Sequence, residues 1–155
     1  MNREIKYIVI HSTQTPRTVS VESIRKSWRT NNEIAKFHCI IDSNGHAARI
    51  LGMNLTAAQN VPQNENCFHI AYIGGKNGID TRNPLQSHIL FEKIEEVKKL
   101  FPCAMVIGAG EFTGEQNPFF DVESWMNFYS THREDWIYME IPEDEEAEEI
   151  CLWED

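Results

Sequence analysis

The chain of 155 residues carries 24 acids against 14 bases, a formal net charge of −10, with 41% hydrophobic and 10% aromatic residues. That length suits one domain around a single core, and the composition is too apolar for a disordered chain. Nine of the acids (Glu140, Glu143, Asp144, Glu145, Glu146, Glu148, Glu149, Glu154 and Asp155) lie in the last seventeen residues, so the near-neutral remainder offers no basic face to a nucleic acid.

Taken in chain order, residues 5–10 form a β-branched run ending at His11, which predicts a central strand delivering that histidine to the sheet edge. Ser20 caps a predicted helix with Val21, Ile24 and Trp28 at helical spacing and Glu22 paired with Lys26. Residues 37–42 and 46–51 flank Ser43-Asn44-Gly45, a hairpin signal because Asn-Gly tolerates positive φ. A further strand is predicted over 68–73, closed by Gly74-Gly75; with Gly78 these glycines make a turn, since no Lys-Ser/Thr pair opens a helix behind them.

Asn83 followed by Pro84 opens a predicted helix running to about Phe101, with Leu90, Ile94, Val97 and Phe101 on one stripe. Residues 104–107 then read as a buried strand, and Asp121 caps a last helix carrying Val122, Trp125, Met126 and Tyr129. Strands and helices without strict alternation imply a single α/β domain, a mixed sheet flanked by helices, over residues 1–130. Residues 131–155 form a C-terminal extension, with a candidate edge strand at 136–141 and an acidic stretch expected to be mobile.

No apolar run approaches the ~18 residues of a membrane helix, so no membrane partner is expected. Met1-Asn2-Arg3-Glu4 leads straight into a strand without a signal-peptide pattern, so a cytoplasmic location is expected, with export or phage-mediated release left open. Of four cysteines (Cys39, Cys67, Cys103, Cys151) none forms a CxxC pair, and Cys39 and Cys103 sit in apolar runs as expected buried thiols.

The chemistry-bearing residues are sparse. His11 is a candidate metal ligand or general base, or else a histidine bonded to a loop carbonyl. A catalytic metal centre needs three protein ligands, yet the segment 108–112 offers just Glu111, and the segment 116–122 offers Asn117 and the capping Asp121. His38 and Cys39 point to opposite faces of their strand. No GxSxG, HExxH or HxH pattern occurs. Trp28, Phe37 and Phe119 line either a sugar- or peptide-binding groove or the core.

The order of segments carries more. Tyr7-Ile8-Val9-Ile10-His11-Ser12-Thr13-Gln14-Thr15-Pro16 resembles the opening of the zinc-dependent N-acetylmuramoyl-L-alanine amidases, a family that includes phage lysozyme-type amidases and peptidoglycan recognition proteins. The resemblance continues through Val21 to Trp28, Phe37-His38-Cys39-Ile40-Ile41, Ala71-Tyr72-Ile73-Gly74-Gly75, Asp80-Thr81-Arg82 with Gln86, the 108–112 segment, and Pro118-Phe119-Phe120-Asp121-Val122, spanning roughly residues 4–129. It implies the amidase fold, with zinc held by a histidine ending the first strand, a histidine in a Gly-His segment, and a cysteine before Pro-x-Phe-Asp.

The departures fall on that centre. His11 is retained, but the second ligand position is Ala109 and the third Asn117. The family's catalytic tyrosine falls at Phe37, its lysine before the cysteine at Glu115, and its groove histidine at Gln59. One imidazole cannot hold zinc against water, so the resemblance implies a pseudo-enzyme with no cofactor expected. A muropeptide, a fragment of peptidoglycan, is the expected partner in a groove of His11, Trp28, Phe37, Gln59, Ala109, Glu111, Asn117 and Phe119. His69 stands where the family pattern has glycine, so a relocated zinc site of His11, His69 and Glu111 is the alternative, with amidase cleavage of the lactyl-amide bond. A further alternative is a regulator or inhibitor that meets a protein partner through the acidic tail.

Overall fold

The computed structural model describes residues 3–131. The β-branched run becomes β1 (Tyr7–Ser12), with β4 (Cys67–Tyr72) on one side and β5 (Met105–Gly108) on the other, parallel to both. Beyond β4 lie β2 (Cys39–Ile41), parallel to it, and β3 (Ala47–Arg49), antiparallel to β2, giving the mixed order β3-β2-β4-β1-β5. A parallel strand buried on both faces reads as continuous hydrophobics, and Ile8, Val9 and Ile10 are all fully buried.

Alternation along the strands sorts the core into two layers. Ile8, Ile10, Ile41, Phe68 and Ile70 pack with Ile89, Leu90, Ile94 and Val97 of α2 (Pro84–Leu100). On the other face Phe37, Ile40, Ala71 and Ile73 pack with Trp28 of α1 (Val21–Thr30), while Val9 meets Cys67 and Ala109. The helix starts follow local chemistry. Ser20 accepts from the Ser23 N–H; Asn83 and Gln86 exchange bonds in a capping box ahead of α2. Asp121 Oδ1 accepts from the Ser124 N–H at the start of α4 (Val122–Thr131).

Buried Gln86 also donates to the Ile41 and Ile73 carbonyls, tying α2 to the ends of β2 and β4. The short α3 (Gly110–Thr113) follows β5 directly.

Several expectations shift. His11 lies inside β1, because pairing with β4 continues to Ser12↔Tyr72. The hairpin strands shorten to three residues each, and the turn closes through Asp42, whose carbonyl and carboxylate accept from Gly45, Asn44 and His46. Glu22 pairs with Arg29 at 2.8 Å rather than with Lys26. The strand at 104–107 is half-open, with Met105 57% exposed, because β5 is the sheet edge. Cys103 is exposed in the turn before β5, whereas Cys39 and Cys67 are buried and in no disulfide. No described helix is long and apolar enough to cross a membrane. The candidate strand at 136–141, the acidic stretch and Cys151 lie outside the described residues.

Candidate functional site

The site is built around His11, which β1 projects onto the α1 side of the sheet. Its Nε2 lies 2.8 Å from His69 Nδ1, the histidine of neighbouring β4, and His69 Nε2 lies 2.8 Å from Asn64 Oδ1. Asn64 is anchored in turn by donating its Nδ2 to the Ala57 carbonyl at 2.8 Å. Behind them His38 stacks on Phe68, and its Nδ1 accepts from the His69 backbone N–H at 3.0 Å. Burial pushes the His11 pKa down to about 3. Burial, then the neighbouring His11, His38 and Arg3, pushes His69 down to about 2. Both imidazoles are therefore neutral near neutral pH.

Phe37 closes one side of His11, its ring edge-on at 5.0 Å between centroids, with Trp28 5.9 Å beyond it. These two aromatics floor a hollow of about 370 Å³ whose rim includes Thr13, Thr15, Ser27 and Lys36. Gln59 does not line this hollow; its Nε2 donates to the carbonyl of Lys36 on the rim at 2.6 Å.

The loop after α3 seals the end of β1. Asn117 Oδ1 accepts from the Ser12 N–H at 2.7 Å, and its carbonyl accepts from the Gly110 N–H. The Asn117–Pro118 peptide is cis, and the Pro118 carbonyl accepts from Tyr72 Oη. Phe119 sits over Gly75, where a Cβ would come within 2.5 Å of Ser12 Oγ and 3.1 Å of the Phe119 ring; glycine is needed there on space as well as on φ.

The expected groove thus divides. Trp28 and Phe37 line the hollow beside α1, whereas Glu111, Glu115 and Asn117 line a second, polar hollow of about 520 Å³ beside β5. Ala109 is buried against Val9 and Cys67. Among the described residues no group of three or more His, Cys, Asp or Glu side chains is placed to hold a metal ion; His11 and His69 meet, and exposed Glu111 does not join them.

The amidase zinc positions read from the resemblance also do not fit zinc. His11 Nε2 is engaged by His69, Ala109 has no donor atom, and Asn117 Oδ1 already accepts a backbone proton. Sequence reasoning missed Asn64, Ser12 and Lys36. Nothing in their spacing marks them, and each matters through a contact that folding creates.

No protein-family model matches this sequence, and no curated protein matches it. Solved structures do. The Ph2119 endolysin from the Thermus scotoductus MAT2119 bacteriophage Ph2119 superposes with a TM-score of 0.69 at 19% identity, over 82% of this chain and 86% of that one. The N-acetylmuramoyl-L-alanine amidase LysC from Clostridium intestinale URNW gives 0.70 at 17% identity, over 83% and 87%. Bumblebee PGRP-SA gives 0.65 at 19%, over 82% and 84%.

Proposed function

From the fold that this chain shares with phage endolysins, an N-acetylmuramoyl-L-alanine amidase and a PGRP, we propose that it is a non-catalytic amidase-fold protein that binds peptidoglycan fragments beside His11. One observation supports the reading: the residues at the positions where the resemblance places zinc ligands are engaged in other contacts or lack a donor atom, beside an apolar hollow. His11 is engaged by His69 and Asn117 by Ser12, yet Trp28 and Phe37 still floor an open hollow of about 370 Å³.

The losses act on one mechanism. Without three zinc ligands there is no activated water and no polarised amide carbonyl. Phenylalanine at position 37 offers no hydroxyl to a developing oxyanion, a change that alone costs on the order of a hundredfold. Aromatic floors with polar rims suit a ligand that is part sugar and part peptide.

Calorimetry with muramyl tripeptide and tetrapeptide tests the reading. Binding with a Kd between about 10 μM and 1 mM is expected, with no release of stem peptide from cell walls. Absence of heat at millimolar ligand, or stem-peptide release, overturns it. The altered-amidase alternative requires stoichiometric zinc that disappears in His11→Ala. The protein-partner alternative rests on the acidic tail, and a pull-down with and without residues 140–155 tests it.

A further inference from the structure

Asn64 sets the direction of the buried hydrogen-bond chain. Its Nδ2 donates to the Ala57 carbonyl, so its Oδ1 is the atom facing His69 Nε2. A carboxamide oxygen accepts and never donates, so the proton between them belongs to His69 Nε2. Turning the Asn64 amide over would set two carbonyl oxygens 2.8 Å apart, an arrangement without a proton to share. A neutral imidazole protonated at Nε2 has a lone pair at Nδ1, so His69 Nδ1 accepts, and His11 Nε2 donates across 2.8 Å. The lone pair of His11 is thereby left on Nδ1. That atom has no hydrogen-bond partner among the described residues, and His11 as a whole is 5% exposed.

We infer that His69 and Asn64 act as positioning residues that lock His11 as its Nε2–H tautomer, so that Nδ1 carries the ring's one unpaired acceptor, the atom that meets an N–H or O–H donor of a ligand reaching His11 past Phe37. This rests on the reading of the hollow beside Phe37 as the ligand site. The chemistry selects the donor. A neutral imidazole lone pair repels a carboxylate or phosphate oxygen and welcomes an amide N–H or a hydroxyl. It also explains why histidine at position 69 is compatible with the fold but not with zinc at His11: the ring nitrogen facing His69 is spent on a proton, and one remaining nitrogen is a single ligand.

The tautomer is read directly by long-range ¹⁵N–¹H correlation spectroscopy of the imidazoles in the full chain. Both His11 and His69 are expected as single Nε2–H species. Asn64→Leu, which removes the acceptor, yields mixed tautomers in both rings while the backbone amide spectrum stays folded. Saturating muramyl dipeptide shifts the His11 Nδ1 resonance towards the hydrogen-bonded range and leaves Nε2 in place; one equivalent of zinc moves neither. A His11 protonated at Nδ1 in the free protein, unchanged tautomers in Asn64→Leu, or a zinc-induced shift of His11 overturns the lock. Bound dipeptide that leaves Nδ1 unmoved overturns the acceptor role alone. Absence of any binding overturns the muropeptide reading and its ligand contact with it, whereas the free-protein tautomer still decides the lock.

Discussion

The Ser12 backbone N–H donates to Asn117 Oδ1 at 2.7 Å across 105 residues of chain. The asparagine therefore holds the end of β1 to the loop that follows α3, and its side chain has a structural task at a position where the amidase resemblance expects a ligand. Asn117→Ala strands a half-buried backbone donor and should cost about 1–2 kcal/mol of unfolding free energy. Urea denaturation measures it; an unchanged midpoint would show that water replaces the amide without loss.

Restoring the donor set should restore the metal. His69→Gly frees His11 Nε2, while Ala109→His and Asn117→Cys supply the two missing ligands, so the triple variant is expected to hold about one zinc per chain by elemental analysis. Equal zinc in the unmodified protein, prepared without a metal-affinity tag, would refute the account of its loss.

Acid should weaken the fold early. In the unfolded chain both histidines titrate near 6.5, whereas burial lowers His11 to about 3 and His69 to about 2 in the folded protein. The unfolded state therefore binds more protons below about pH 6.5, and the stability these groups hold above it is lost as pH falls towards 3. A loss on the order of 2–4 kcal/mol between about pH 7 and 5 is expected from denaturant midpoints. His69→Gln should roughly halve the slope; an equal slope in both proteins would remove the pair from the explanation.

Gln86→Ala should be among the costlier single changes on α2. Its side chain is fully buried, donates to the Ile41 and Ile73 carbonyls and accepts from the Asn83 N–H. Removing it leaves buried groups unpaired and opens the capping box, about 2–4 kcal/mol together. Thermal unfolding checks the size, and a loss below about 0.5 kcal/mol would mean that water enters behind α2.

Phe37→Tyr separates the aromatic floor from the missing hydroxyl. The ring contact with His11 and Trp28 is kept, so stability should change by less than about 1 kcal/mol and ligand affinity little. Amidase activity should stay at background, because the hydroxyl returns without a metal. Stem-peptide release by this variant would show that catalysis here does not need three zinc ligands.

The strands, helices and caps were legible because their causes are local. The β-branched run ending at His11, the Ser20 and Asn83 caps and the Asn-Gly turn each act within a few residues. The errors came from neighbours in space. Cys103 reads as buried by its apolar flanks yet lies in an open turn, and the strand after it is half-open because nothing described pairs beyond β5. The contact of Gln59 with the Lys36 carbonyl was equally illegible, because the two residues are 23 positions apart.

Charge, length and missing ligands are set by composition: a near-neutral body the length of one domain, with alanine and asparagine at positions 109 and 117. Those identities are set by the chain alone, since no packing can put a donor atom on alanine. What the chain could not express was the state of its one remaining imidazole. His11, Asn64 and His69 converge because parallel β1 and β4 bring residues from distant parts of the chain into one layer and the preceding loop folds back over them. The proton's position in that chain follows from which atoms meet, and sequence spacing carries no record of that.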